Sequence, residues 1–360
     1  ELAGRMADSL ANLALQNENR AWYYQTYSRS GTWAGRVPKG HPPHLEPPAV
    51  SFQDIGNALR AFSRWYTVSG DEKALDLAHR LARFMLKPTM WRARGEGMTV
   101  AGEHGRWSGH FHTHTTGLIG LVEYAIASND SRAKRIADEA YLHARSVGIS
   151  RLGFFPAVIR PPKQKQPSDA GAGGSSPQVA ETCGVADMVA LAIRLSQYGV
   201  GDYWDHVDQY VRNHLVEQQL TDAAQLEKIS AAAPECDIEK EAPHKGQTDT
   251  RDVIRRSLGN FAGSSAPDSI PRPWVMQCCT GNGTQGLYYA WEGIVRESGE
   301  SAQVNLLLNR ASPWLDVDSH LPYEGKVVLR NKQAQKLTVR IPRWVDKKAV
   351  KSRINQSKAD

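Results

Sequence analysis

Paired amphipathic helices, written three times along the chain, constrain this sequence more than any other feature. From Phe52 to Ser69 the apolar residues Ile55, Leu59 and Phe62, then Trp65 and Tyr66, keep the period of a helix. The pattern breaks at Ser69-Gly70-Asp71 and resumes with Ala74, Leu77, Ala78, Leu81 and Met85. A second copy runs through Leu118, Leu121, Val122 and Ala125, breaks at Ser128-Asn129-Asp130, and resumes with Ala133, Ile136, Ala137, Ala140 and Ala144. A third runs through Val185, Met188, Val189, Ala192 and Leu195, breaks between Gly199 and Asp202, and resumes with Val207, Tyr210 and Leu215. Each copy reads as two helices joined by a Gly/Asn turn whose Asp can cap the second helix.

Repeated helical hairpins build either a solenoid or a closed toroid. The turn aspartates at 71, 130 and 202 lie 59 and 72 positions apart, beyond the usual solenoid repeat of roughly 33 to 47. Long Gly/Pro-rich loops at 31–48, 88–109, 153–177 and 231–273 fill the difference. Loops of that length in a compact domain are usually functional or mobile, and a toroid with its loops gathered around one mouth accommodates them. A further helix is expected over 285–296, after which the period shortens. Val304–Leu308, Lys326–Leu329 and Lys336–Ile341 then read as strands. The sequence therefore predicts a mainly α chain, with a helical toroid over 1–298 and a β-rich, partial-sandwich region over 299–360.

The composition suits such a fold. Of 360 residues 41% are hydrophobic, including ten Trp and twelve Tyr, and 23% are charged, which argues against wholesale disorder. The net charge of +6 and pI of 9.1 would permit nucleic-acid binding. The basic residues are dispersed, however, and their densest run, Lys326 to Lys358, alternates with strand residues as a solvated face, so no nucleic-acid partner is expected. No apolar run approaches the roughly 18 residues of a membrane span. No basic-then-apolar signal segment follows Glu1, a start that is compatible with a segment upstream. Four cysteines are too few for a disulfide scaffold in a chain this long. A cytoplasmic location with reduced thiols is the expectation.

The placement of those cysteines says more than their number. Glu181-Thr182-Cys183 opens the third hairpin, and Cys278-Cys279-Thr280-Gly281-Asn282 opens the last helix. One carboxylate and three sulfurs are suited to tetrahedral zinc, with the thiols bound as thiolates. In an extended segment, Glu-x-Cys spacing sends both side chains to one side. Adjacent cysteines can share a metal where the backbone turns sharply, which Thr-Gly-Asn-Gly allows, and a helix start favours the thiolate. The competing reading makes them small buried residues that pack helix starts, and Cys183 alone would be read that way. Cys236, between Glu235 and Asp237, has no ligand-like neighbours.

Three segments carry a family resemblance: Glu-Thr-Cys-Gly-Val-Ala-Asp-Met (181–188), Pro-Trp-Val-Met-Gln-Cys-Cys-Thr-Gly-Asn (273–282) and Leu-Thr-Val-Arg-Ile-Pro-Arg-Trp-Val (337–345). Together they resemble glycoside hydrolase family 127, the β-L-arabinofuranosidases and their relatives, over about Phe52 to Val345. The resemblance implies an (α/α)6-type toroid followed by β-sandwich material. It implies Zn2+ held by Glu181, Cys183, Cys278 and Cys279, with Cys278 as the nucleophile of a retaining hydrolase acting on a carbohydrate such as an L-arabinofuranoside. A thiolate can attack an anomeric carbon to give a thioglycosyl intermediate, and two displacements at one carbon retain its configuration.

One element departs from the family pattern. The family's general acid/base is a Glu after a Gly, upstream of Glu-x-Cys, yet residues 165–178 contain no Glu. Asp169 is the only carboxylate there and sits in a Gly-rich loop that holds a catalytic group poorly. The chain also starts late for twelve toroid helices and stops early for a whole sandwich.

His110, His112 and His114 form the other dense polar cluster. They are expected either to contact sugar, to bond at a helix start, or to form a second metal site. Trp274, Trp107 and Trp91 lie in loops where an aromatic face could stack on a sugar ring or simply pack. Three functions follow: a zinc- and cysteine-dependent retaining glycosidase, a degenerate member that binds carbohydrate around a structural zinc, or a metal-free toroidal hydrolase or lyase using two carboxylates. The missing Glu favours the second, while the zinc quartet weighs against the third.

Overall fold

The computed structural model describes residues 1–23, 45–47, 50–91, 107, 109–159, 179–232, 251–270, 275–355 and 357–358. Helix α1 (Leu2–Leu13) and the antiparallel pair β1 (Leu15–Gln16) and β2 (Ala21–Trp22) precede the hairpins. The first hairpin is α2 (Phe52–Ser69) and α3 (Glu72–Met85). Gly70, at φ 72°, ends α2, and the Asp71 carboxylate accepts from the Lys73 N–H to start α3. Strand β3 (Gly109–His110) leads into the second hairpin, α4 (Phe111–Ser128) and α5 (Ser131–Ser146). There Asn129 takes the left-handed position and Asp130 accepts from the Ala133 N–H. After β4 (Val158–Ile159) comes the third hairpin, α6 (Thr182–Gln197) and α7 (Trp204–Tyr210), the latter continuing as a π turn over Val211–Leu215.

The third turn departs from the expected cap. Helix α7 starts at Tyr203 without a side-chain cap, because Asp202 instead accepts from the guanidinium groups of Arg340 and Arg343. Among the described residues, two short helices follow, α8 (Ala223–Ala232) and α9 (Val253–Ser257), then the long α10 (Gln277–Ile294). Helix α10 begins well before the apolar period at 285–296 becomes visible. Two of its glycines are contact points rather than breaks: a Cβ on Gly283 would lie 2.5 Å from the Phe261 ring and one on Gly286 3.0 Å from the Ala186 Cβ, whereas Gly281 has nothing within 4 Å.

Helices α2, α4, α6 and α10 form an inner row, each packed on the next, with α3, α5 and α7 outside. Burial explains the division. Helix α4 is buried continuously from Thr115 to Ala125 and α6 from Thr182 to Ile193, whereas α5 buries one stripe. Between α2 and α4 the backbones themselves touch. A Cβ on Gly56 would sit 2.3 Å from the Gly117 Cα, and one on Gly120 would sit 2.1 Å from the Gly56 carbonyl oxygen. The buried Glu123 ties three inner helices, accepting from Arg194 of α6 at 2.8 and 2.6 Å and from Arg64 of α2 at 3.1 Å.

The C-terminal elements are β5 (Val295–Ser298), β6 (Ser301–Val304), β7 (Leu315–Ser319), β8 (Val327–Asn331), β9 (Lys336–Val339), β10 (Arg353–Ile354) and β11 (Ser357–Lys358). Strand β6 pairs antiparallel with β5 and parallel with β9, and β7 pairs with β8. The strand expected at Val304–Leu308 stops at Val304. Asn305 there turns back to α10, its backbone N–H donating to the Ile294 carbonyl at 2.8 Å and its side chain to the Gly293 carbonyl at 3.0 Å. Arg340, just past β9, anchors the β elements to the third hairpin through Asp205 at 2.8 Å and Asp202 at 3.1 Å.

Candidate metal centre

Two helix starts build the site. Glu181 is the N-cap of α6 and Cys183 lies in its first turn, while Cys278 and Cys279 lie in the first turn of α10. Both helices therefore direct the positive ends of their dipoles toward the sulfurs. The segment 261–266 links the two starts. Ala180 and Ser265 exchange backbone hydrogen bonds at 2.8 and 2.9 Å, the Thr182 hydroxyl donates to the Ala262 carbonyl at 2.6 Å, and Ala262 bridges to Val275.

The ligand atoms of Glu181, Cys183, Cys278 and Cys279 all lie within 4.8 Å of one another. The Cys183 thiol donates to the Cys279 sulfur at 3.4 Å, and that sulfur lies 3.7 Å from Oε1 of Glu181. Tetrahedral zinc with Zn–S bonds of about 2.3 Å spaces its ligand atoms about 3.8 Å apart, so the donor set fits in type and in spacing. Three members are buried and Cys278 is exposed.

The electrostatics keep the three thiols from ionising together. The hydrogen bond from Cys183 pushes the Cys183 thiol far up, with burial adding to it, and holds the Cys279 thiol below its ordinary range. Burial, and then the charge of Cys279, pushes the Cys278 thiol up. Three thiols this close do not ionise together without a neighbouring positive charge.

The histidines divide. The β3–β4 pairing sets His110 opposite Val158, and its Nε2 hydrogen-bonds Oε2 of Glu181 while its Nδ1 meets the Thr113 hydroxyl at 3.1 Å. Burial works to raise the Glu181 carboxyl, but His110, His112 and Cys183 together hold it below its ordinary value. His112, beside His110 with ring centroids 5.7 Å apart, places Nδ1 2.7 Å from Oδ2 of Asp187. The same oxygen accepts from the Thr115 hydroxyl at 2.6 Å and the Thr116 hydroxyl at 3.2 Å. Burial would lower His112, but Asp187 foremost, with Glu181 and Cys279, raises it overall. His114 lies elsewhere, stacked on Trp107 at 5.0 Å with Phe52 beside it.

Trp91 and Trp107 are both buried. Trp274, Asp169 and Cys236 fall outside the described residues. Sequence reasoning passed over Asp187 although it lies within the quoted 181–188 motif. Its signal was a carboxylate in an otherwise apolar helix, one turn beyond Cys183. Among the described residues no helix is long and apolar enough to cross a membrane.

No protein-family profile matches the sequence, and no curated protein matches it. Solved structures do. A β-arabinofuranosidase of glycoside hydrolase family 127 matches at 19% identity and a TM-score of 0.51, over 80% of this chain and 42% of that one. A family 127 β-L-arabinofuranosidase from Geobacillus stearothermophilus T6 matches at 15% identity and 0.50, over 89% and 51%. A structure described as a glycoside hydrolase matches at 14% and 0.53, over 85% and 51%. The chain thus spans about half the length of the structures it matches. At these identities the likeness speaks for the fold, and the fold of this chain is the mainly α, helical-toroid fold of the family 127 enzymes.

Proposed function

We propose that this chain carries the active site of a retaining glycosidase that removes L-arabinofuranose or a similar sugar, with Cys278 as its nucleophile. The observation that carries the reading is the division within the quartet: Glu181, Cys183 and Cys279 are buried, and Cys278 alone is exposed. A purely structural site closes all four ligands, whereas a catalytic one keeps a position open to substrate. The fold shared with family 127 arabinofuranosidases supports the same reading and suggests the sugar.

Zinc, when bound, would supply the positive charge that keeps the thiols ionised near neutral pH without a separate base. Glu181, Cys183 and Cys279 would hold it from the buried side, and His110 fixes the Glu181 carboxylate through its second oxygen. Cys278 presents its sulfur to the sugar. The sulfur bonds to the anomeric carbon as the glycosidic C–O bond breaks; water then bonds to that carbon as the C–S bond breaks.

The test is hydrolysis of a panel of p-nitrophenyl furanosides and pyranosides, alongside labelling by a haloacetamido-glycoside. Turnover is expected on an arabinofuranoside, lost in Cys278→Ser, with label on Cys278 in preference to Cys236. No turnover on any member with Cys278 unlabelled would leave a carbohydrate-binding protein built around a structural metal.

A further inference from the structure

The glycosidic oxygen needs a proton as it leaves, and the attacking water must give one up. We propose that His112, oriented by Asp187, is the general acid and then the general base of the reaction proposed above, an assignment that rests on that reading.

The geometry is that of an oriented imidazole. Asp187 on α6 is 8% exposed, and its Oδ2 takes the Nδ1–H of His112 at 2.7 Å. That bond fixes the tautomer, leaving Nε2 as the atom that gains or loses a proton. Nε2 has no hydrogen-bond partner among the described residues. A role confined to satisfying Asp187 would not need the ring, because the hydroxyls of Thr115 and Thr116 already donate to the same oxygen. The dyad also adjoins the quartet. Asp187 follows Cys183 by one turn of α6, and the His112 ring neighbours His110, which holds Glu181. The charged and titratable groups around His112 are Asp187, Glu181, Cys279 and His110.

In the first step the Nε2 proton passes to the glycosidic oxygen as the Cys278 sulfur bonds to the anomeric carbon and the C–O bond breaks. In the second, neutral Nε2 takes a proton from water as the water oxygen bonds to that carbon. The C–S bond breaks, the electron pair returns to the Cys278 sulfur, and His112 is protonated again. A positioned acid/base contributes about 10²–10⁴-fold, most where the leaving group is poor.

The experiment compares the zinc-loaded wild type with His112→Gln on methyl and p-nitrophenyl β-L-arabinofuranoside, with and without azide. Zinc content and circular dichroism are measured on both proteins. His112→Gln is expected to lose about 10²-fold or more on the methyl glycoside and under about tenfold in the nitrophenolate burst, with zinc retained. Azide should restore turnover and yield a glycosyl azide of retained configuration. Asp187→Asn should shift the same substrate ratio less far, and it carries the test if His112→Gln does not fold. Equal losses on both substrates with no azide product, or no loss at all, would overturn the assignment while leaving Cys278 in place. A wild type inactive on both, with Cys278 unlabelled, would overturn the glycosidase reading itself and this assignment with it.

Discussion

The sulfur of Cys183 lies 3.4 Å from that of Cys279, although 96 residues separate them in the chain. Each belongs to the first turn of an inner helix, and those helices pack along their length with Gly286 of α10 against Ala186 of α6. The candidate site is therefore one end of a helix–helix seam. Ligand geometry there is set by packing over several turns.

Metal binding should accordingly register in global stability. About one zinc per chain is expected, and chelation should lower Tm by at least about 4 °C, the shift that about 3 kcal/mol produces in a chain of this length. Cys183→Ser and Cys279→Ser should lose the metal and become insensitive to chelator. Metal analysis with differential scanning calorimetry checks this; a metal-free preparation with unchanged Tm would refute it.

Glu123 is 3% exposed and pairs with two arginines from different helices. Glu123→Ala leaves Arg194 without its partner inside the inner row, and a loss of about 3 kcal/mol is expected. Urea denaturation reads it directly. An effect below about 1 kcal/mol would mean that solvent reaches the triad freely.

Acid should destabilise the fold through two histidines. Burial holds His214 down to about 4, and burial with Arg145 does the same for His206. In the unfolded chain both titrate near 6.5. Above pH 6.5 neither state is protonated and stability is full. Between 6.5 and 4 the unfolded chain binds protons that the native state refuses, so stability falls as pH falls, and the contribution is gone below 4. For the buried His214 the gap between those two values is worth roughly 3 kcal/mol. Urea midpoints at pH 7 and pH 5 should differ in that direction, and equal midpoints would refute the account.

Gly120→Ala tests the helix crossing. Its Cβ would meet the Gly56 carbonyl oxygen at 2.1 Å, a backbone atom that cannot rotate aside. A cost of about 3 kcal/mol or loss of soluble protein is expected, whereas Gly70→Ala, with nothing within 4 Å, should cost only the strain of its left-handed φ.

The hairpins were legible because their signals are local: apolar period, turn residue and capping Asp all lie within a few positions of one another. The meeting of Glu181, Cys183, Cys278 and Cys279 was legible by residue type, since cysteines beside a carboxylate at helix starts are few. What stayed hidden depends on distant partners. Asp202 read as a cap until Arg340 and Arg343 claimed it. The start of α10 was masked by glycines whose purpose is contact with Phe261 and Ala186. His114 looked equivalent to His110 and His112, yet the three alternate into different surroundings once the strand at His110 gives way to the helix at Phe111.

The touching backbones of α2 and α4 bear on how this protein can change over generations. A core filled with side chains absorbs substitution by repacking, but two main chains in contact have no such freedom. His112 stands at the head of α4, shortly before Gly117, so its position is inherited from a crossing that holds no functional group. Gly56, Gly117 and Gly120 share that restriction, and random substitution at these three positions should leave far fewer folded proteins than substitution at the side chains around them.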